Sequence, residues 1–165
     1  MSLRTAKILG RIDLPKIDQD YLDQIIEEGT NLHNYIKSYV IEPEIRNLLE
    51  SLCQNVYDFG FYATTWIGPH IDEGVIGDIS LGIIITGDHF LFTGNGRRIG
   101  DLVPGTVFTL MNKKTHGALQ KDKNSRIPLI FAVCEPYIAI EEWKYFCYDL
   151  EKKLKTFKLH SNLSN

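Results

Sequence analysis

The middle of the sequence is a series of short runs rich in Ile, Val, Phe and Thr, separated by Gly, Pro, Asn and Asp. These runs are Phe61–Ile67, Ile79–Thr86, His89–Thr93, Arg97–Leu102, Thr106–Asn112, Gly117–Gln120 and Ile127–Cys134. Many short β-like runs with such punctuation are typical of a sandwich or barrel. The pattern therefore predicts a jelly-roll-like core and argues against a parallel α/β sheet.

Helical periodicity marks both flanks of this core. After a candidate opening strand over Ala6–Leu14, apolar residues recur at helical spacing from Ile17 to Ile26. A second apolar stripe runs to Val56 from Pro43, a residue suited to the first turn of a helix. A third stripe covers Trp143–Phe157 and predicts a C-terminal helix.

Length and composition fit one folded domain. The chain has 165 residues, of which 44% are hydrophobic and 24% charged, as in ordinary globular proteins. We therefore expect a single α+β domain over residues 1–165. Its double-stranded β-helix (jelly-roll) core is predicted over about residues 59–135, with N-terminal helices and a C-terminal helix packed on it.

Charge and cysteine usage restrict the compartment and the partners. Eighteen Lys and Arg against twenty-one Asp and Glu give a net charge of −3, whereas proteins that bind phosphate backbones usually carry a basic surplus. Nucleic acid is therefore not an expected partner. The sequence contains no apolar run of the ~20 residues that a membrane helix needs, and no secretory signal at its start, so we expect a cytoplasmic protein. Three cysteines without CxxC spacing support neither a disulfide framework nor a zinc ribbon.

The segment Gly68–Glu73 carries the residues best suited to chemistry. If it is extended, His70 and Asp72 project from the same side, because strand side chains alternate with period two. His116, 46 residues further on, is the best candidate for a third ligand. Two His and one carboxylate on one face form the ligand set of non-haem Fe(II) oxygenases, which leaves coordination positions open for cosubstrate and O₂.

Arg126 follows the second histidine by ten residues and enters the last predicted strand. A guanidinium is well suited to bind a carboxylate with two parallel hydrogen bonds. Together, His70-x-Asp72, His116 and Arg126 resemble the core motif of the Fe(II)/2-oxoglutarate-dependent dioxygenases. The resemblance covers about half of the chain.

This resemblance implies a function and a role for each residue. His70, Asp72 and His116 would ligate Fe(II), and Arg126 would bind the distal carboxylate of 2-oxoglutarate. Together with O₂, the protein would hydroxylate a C–H bond of a peptide or protein side chain, or of a small metabolite, and release succinate and CO₂.

The sequence departs from the family pattern at three positions. Pro128 stands where many members carry a Ser or Thr that shares the carboxylate, which makes Tyr62 or Thr64 candidates for that role. Trp66 takes the place of a frequent Tyr and is expected to line the substrate pocket. Ala132 stands where nucleic-acid demethylases of the superfamily carry a second Arg, so that branch is disfavoured.

Other residues have simpler interpretations. The glycine-rich segment Gly94–Gly100 lacks the spacing and the following helix of a phosphate-binding loop, so we expect a turn between strands. Arg97 and Arg98 could give that turn a basic edge that contacts substrate. His89 follows a predicted hairpin turn and is expected to be a surface residue.

Two other functions also fit the sequence. A non-catalytic cupin-type module would use the same strand core to bind a small ligand, although cupins usually cluster more histidines near the first motif. A structural protein would use the core as a scaffold. With any of these three functions, the C-terminal helix could form the interface of a homodimer.

Overall fold

The computed structural model describes residues 5–33, 36–73 and 75–163, and side chains within residues 5–29, 36–73 and 75–157. Eleven strands, three α-helices and one 3₁₀ helix (Ile140–Glu142) lie in the described chain. The strands are β1 (Ala6–Arg11), β2 (Thr30–His33), β3 (Ile36–Tyr39), β4 (Val56–Thr64), β5 (Ile67–His70), β6 (Ile79–Thr86), β7 (His89–Thr93), β8 (Arg98–Leu102), β9 (Thr106–Met111), β10 (His116–Gln120) and β11 (Leu129–Pro136). The helices are α1 (Gln19–Glu28), α2 (Pro43–Leu52) and α3 (Trp143–Leu163).

Strands β4 to β11 form the jelly roll. One sheet contains them in the order β9-β6-β11-β4, and the other in the order β5-β10-β7-β8, with every neighbouring pair antiparallel. Consecutive strands thus alternate between the sheets except at the β7–β8 hairpin. β1 extends the larger sheet beyond β9, and β3 and β2 extend it beyond β4. The predicted α+β jelly-roll fold is confirmed.

The central strands β6 and β9 of the larger sheet are buried on both faces, which is why they contain few polar residues. The sheet's inner face packs against the smaller sheet through residues such as Ile84, Phe108 and Leu129. Its outer face is covered by the three α-helices, where Leu81 and Ile130 meet apolar residues of those helices. Alternate residues of β6 and β11 therefore serve two separate cores.

The boundaries near the second helix differ from the prediction. The helix begins at Pro43 as expected, with the Glu42 carboxylate accepting hydrogen bonds from two backbone N–H groups of the first turn. It ends at Leu52, and Val56 already belongs to β4. The sequence pattern also did not predict β2 and β3, which add the outermost strands of the larger sheet.

Within the described chain, no helix combines the length and apolar character required to cross a membrane.

Candidate metal centre

Three side chains converge at one end of the smaller sheet. The potential ligand atoms of His70, Asp72 and His116 all lie within 4.8 Å of one another. His70 Nε2 is 3.1 Å from Asp72 Oδ1, and His116 Nε2 is 3.3 Å from Asp72 Oδ2. The imidazole rings meet edge to face, with centroids 4.6 Å apart. The structure therefore brings together the three residues that the sequence analysis selected.

The strand register produces this convergence. His70 is the last residue of β5, and His116 is the first residue of β10, and the two are paired in the antiparallel ladder. Paired residues of antiparallel strands project from the same face of a sheet, so their rings lie side by side. Asp72 follows two residues after His70 in the loop beyond β5, and its carboxylate reaches both rings.

Each histidine ring is oriented by its own backbone. His70 Nδ1 is 2.8 Å from the carbonyl oxygen of Gly68, and His116 Nδ1 is 2.8 Å from the carbonyl oxygen of Lys114. A carbonyl can only accept, so Nδ1 carries the hydrogen in both rings. Both Nε2 atoms therefore face the carboxylate, and this arrangement is the usual one for histidines that ligate a metal through Nε2.

Asp72 is the charged centre of the group. Burial alone would raise its pKa, but hydrogen bonds from His116 and His70 outweigh burial, and the pKa lies well below its ordinary value. The hydrogen bond between His70 and Asp72 also raises the pKa of His70, although burial opposes this shift. A divalent cation would replace the protons on the two Nε2 atoms and would be bound by His70, Asp72 and His116. The donor set therefore fits a metal ion.

Asn112 fixes the loop that carries the carboxylate, a role that the sequence analysis missed. Its side chain is fully buried, accepts a hydrogen bond from Ser80 Oγ at 2.6 Å and donates one to the carbonyl oxygen of Gly77 at 2.9 Å. Its own carbonyl oxygen accepts from the backbone N–H of Asp72 at 2.8 Å. The available signal was an Asn directly after a strongly β-like run.

Lys113 adds a second contact to this loop. Its Nζ donates to the carbonyl oxygen of Asp72 at 3.1 Å. The backbone of Asp72 is thus bound on its N–H side and on its carbonyl side by two consecutive residues that follow β9. The carboxylate itself remains directed at the two imidazoles.

Arg126 lies exposed in the segment between β10 and β11. Its guanidinium forms no hydrogen bond or ion pair with another residue of the described chain. No contact joins it to the three converging side chains, so its predicted role with 2-oxoglutarate stays a prediction. The observed β11 starts at Leu129, two residues later than predicted, which leaves Arg126 and Pro128 outside the strand.

The two candidate hydroxyls of β4 differ in their availability. Thr64 is buried, and its Oγ1 already donates to the carbonyl oxygen of Trp66 at 3.0 Å. Tyr62 packs beside Phe131, with ring centroids 5.6 Å apart. Burial raises the pKa of Tyr62, and the nearby carboxylates, Asp72 among them, raise it further. Tyr62 is thus a protonated donor in the electrostatic range of the site.

The three residues predicted to contact substrate occupy two places. Trp66 is 43% exposed, and its ring lies over Gly68, where an added Cβ would come within 3.1 Å of it. Arg97 and Arg98 lie in and after the β7–β8 turn, as the sequence indicated, and line a groove of about 520 Å³.

The expectation for His89 was wrong. Its side chain is fully buried instead of exposed. Its Nδ1 accepts from the backbone N–H of Asp88 at 3.0 Å, and its Nε2 lies 2.6 Å from the carbonyl oxygen of Thr65. The residue joins the β6–β7 turn to the β4–β5 connection, a long-range contact that the local turn pattern does not reveal.

Comparison with known proteins adds only distant similarity. No family model matches the sequence, and a search of curated proteins found no match. A cupin 2 domain-containing protein from Halorhodospira halophila aligns with a TM-score of 0.39 and 12% identity over 88% of this chain and 90% of its own. A full-length Neurospora crassa protein in complex with alpha-KG aligns with a TM-score of 0.32 and 17% identity, over 58% of this chain and 44% of its own. Both TM-scores are below 0.5, so any functional argument depends on the site itself.

Proposed function

We propose that this protein is a mononuclear Fe(II) oxygenase that uses 2-oxoglutarate as cosubstrate and hydroxylates a C–H bond. The observation that carries the proposal is the convergence of His70, Asp72 and His116 at the end of a jelly roll, with both Nε2 atoms directed at one carboxylate. Two imidazoles and one carboxylate on one face suit non-haem Fe(II) and leave positions for two further ligands.

The residues of this chain would hold the metal and limit its movement. His70 and His116 are fixed by hydrogen bonds from Nδ1 to backbone carbonyls, and Asp72 is fixed by backbone contacts to Asn112 and Lys113. The site is open on one side, because the His70 and Asp72 side chains are 34% and 26% exposed, while His116 is 7% exposed. When bound, iron and 2-oxoglutarate would supply the oxidative chemistry, with succinate and CO₂ as coproducts.

Two residues are candidates for the distal carboxylate of 2-oxoglutarate. The Arg126 guanidinium has no partner in the described chain and so is available to an anion. The Tyr62 hydroxyl stays protonated over the physiological pH range because its pKa is raised, and it can donate a hydrogen bond. We favour Arg126 as the charged partner and Tyr62 as a neutral donor, since the only hydroxyl hydrogen of Thr64 is already used.

A second candidate is a cupin-type metal-binding module that does not use 2-oxoglutarate. The observation that favours it is the exposed position of Arg126 outside β11, with no contact to the metal ligands. In that case the converging side chains would still bind a divalent metal, but 2-oxoglutarate would not add to the complex.

Anaerobic titration separates these candidates. Fe(II) is added to the full chain, followed by 2-oxoglutarate, and the visible charge-transfer absorption and the unfolding temperature are recorded. The oxygenase predicts a new absorption band and a further rise in the unfolding temperature on adding 2-oxoglutarate, by linkage. Asp72→Ala should abolish both responses, whereas Glu73→Gln, which removes an exposed neighbouring charge, should preserve them.

Arg126→Gln tests the cosubstrate separately. It should weaken 2-oxoglutarate binding and leave Fe(II) binding intact, whereas Lys123→Gln in the same exposed segment should change neither. Metal binding without any response to 2-oxoglutarate would contradict the oxygenase and leave the cupin-type module. Absence of metal binding would contradict both.

A further inference from the structure

A basic groove adjoins the candidate metal centre through Thr93, Lys114 and Thr115. It has a volume of about 520 Å³ and lies between β1, at the edge of the larger sheet, and the β7–β8 turn with β8, at the edge of the smaller sheet. Four cationic residues line it: Lys7, Arg97, Arg98 and Lys114. No acidic residue lines it within the described chain, although the protein carries a net charge of −3.

Two of these cations are already neutralised and two are not. Lys7 is paired with Glu151, and Arg98 Nη2 is 2.8 Å from Asp101 Oδ1. The side chains of Arg97 and Lys114 are exposed and form no ion pair with any residue that the structure describes. The groove thus presents two uncompensated positive charges, which an anion would neutralise.

The groove and the metal centre lie on one continuous face. His116 pairs with His70 on one side and with Thr93 on the other, and paired residues project from the same face of a sheet. Thr93 lines the groove, and its backbone N–H donates to the carbonyl oxygen of Arg97 at 3.0 Å. Lys114 lies two residues before His116, and its carbonyl oxygen accepts the Nδ1 hydrogen bond of that ring.

Strand spacing gives the distance between the two features. Arg97 directly precedes β8, which is separated from β10 by β7 alone. Because neighbouring strands lie about 4.8 Å apart, the backbone near Arg97 is roughly 10 Å from that of His116. Arg126, the proposed partner of the distal carboxylate of 2-oxoglutarate, does not line the groove, so the groove is left to a different ligand.

We propose that this groove binds the anionic group, a phosphate or a carboxylate, of a small prime substrate whose reacting carbon lies at the metal centre. The substrate assignment depends on the proposed function, whereas anion binding by the groove does not. The volume is in the range of small-molecule sites, about 300–1,000 Å³, which favours a small ligand over a polymer. The groove wall also includes Thr5, whose buried hydroxyl has no hydrogen-bond partner in the described chain.

The test is an NMR titration of the full chain without added metal, at low ionic strength, with inorganic phosphate and, separately, with acetate. We expect saturable shifts of the backbone amides over residues 93–98 and 114–115. Arg97→Gln and Lys114→Gln should each weaken binding by about 5–10-fold, and the double variant should weaken it further. Lys123→Gln is the matched control, because it removes one exposed positive charge outside the groove.

The two probes distinguish the sources of the anion. Saturation by phosphate alone indicates a phosphorylated substrate, and comparable saturation by acetate indicates a carboxylate substrate. Absence of saturable shifts, or shifts that persist unchanged in the double variant, would overturn the proposal.

A second measurement tests the link to the metal centre. One equivalent of Mn(II) should enhance the ³¹P relaxation of bound phosphate through space, without direct coordination of the phosphate by Mn(II). Asp72→Ala should remove this enhancement but preserve the amide shifts. Relaxation that indicates direct coordination of phosphate by Mn(II) would contradict the proposal that the anion binds in the groove. If the protein binds no metal but still shows amide shifts that depend on Arg97, the proposed function is contradicted and anion binding by the groove is not.

Discussion

The smaller sheet carries a buried histidine at each end of its β7–β10 ladder, and the two histidines have opposite properties. His116 pairs with Thr93 at one end, and His89 pairs with Gln120 at the other. Both are at least 95% buried. His116 directs Nε2 at a carboxylate, whereas His89 uses both ring nitrogens for backbone contacts. Burial therefore does not distinguish these two histidines, whereas the atom that the second ring nitrogen faces does.

The electrostatic environments differ in the same way. At the candidate metal centre, Asp72 raises the pKa of His70 and so stabilises positive charge on the ring edge where a cation would bind. At the opposite end, burial lowers the pKa of His89, although the hydrogen bond to Thr65 and the charge of Asp88 oppose this shift. One end of the ladder thus favours a cation and the other favours a neutral ring. Substitutions at each end of the ladder test this division.

The largest expected effect is on metal affinity at the carboxylate end. Asp72→Ala removes the only anionic group of the three, and we expect the affinity for Fe(II) or Mn(II) to fall by more than about 100-fold, beyond the usual 10–100-fold effect of losing a residue that only orients a ligand. Equilibrium dialysis against Mn(II) measures this directly. Affinity within threefold of the unsubstituted chain would show that the converging side chains do not form the metal site.

A smaller effect on affinity is expected from Asn112. Asn112→Ala removes the hydrogen bonds to Ser80 and Gly77 and loosens the backbone that holds Asp72. We expect the Mn(II) affinity to fall by about 10–100-fold, as is typical when a residue that orients a ligand is lost. Asn124→Ala, in an exposed turn, is the matched control. If Asn112→Ala lowers only the unfolding temperature, its role is structural.

The sequence predicted the parts of the site that depend on local order. His70 and Asp72 are two residues apart near an extended segment, so their side chains could be assigned to one side without a structure. His116 could be selected as the third candidate because it follows a strongly β-like run. The strand runs Ile79–Thr86 and His89–Thr93 match β6 and β7 residue for residue. These features could be predicted because period-two alternation and turn residues act over a few positions.

Other features depend on residues distant in sequence and could not be predicted in this way. His89 looks like part of an ordinary turn until β4 and β5 place the carbonyl oxygen of Thr65 beside it. Lys7 and Lys114 resemble ordinary exposed lysines until β1 pairs with β9 and approaches β8, which places both on one groove. Both cases arise from the order of strands in the sheets, which a local pattern does not specify.

The structural end of the ladder can be tested through stability. His89→Leu preserves bulk but leaves the N–H of Asp88 and the carbonyl of Thr65 without their partner. Unsatisfied buried groups cost about 1–3 kcal/mol each, so we expect the free energy of unfolding to fall by about 2–4 kcal/mol. Denaturant titration measures this, and Mn(II) affinity should stay within threefold. A large loss of metal affinity in the folded variant would show that His89 also contributes to metal binding.

The smallest expected effect is a pH dependence that belongs to His89 alone. Its pKa is lowered in the folded state, so below the unfolded pKa of about 6.5 the unfolded chain binds more protons at this residue, and stability falls as the pH falls. Protonation would also place a hydrogen on Nδ1, which already accepts from the N–H of Asp88. The loss is at most about 1.4 kcal/mol per pH unit and ends below the folded pKa.

The measurement compares the unsubstituted chain with His89→Gln, which cannot titrate, by denaturant unfolding between about pH 7.5 and about pH 5.5. Asp72, whose pKa is lowered, also loses stabilising energy on acidification, and His70, whose pKa is raised, opposes that loss. Both contributions are shared by the two chains and cancel in the difference. The stability difference should therefore move in favour of His89→Gln as the pH falls. A difference independent of pH would show that the ring at this end of the ladder accepts a proton as readily as it does in the unfolded chain.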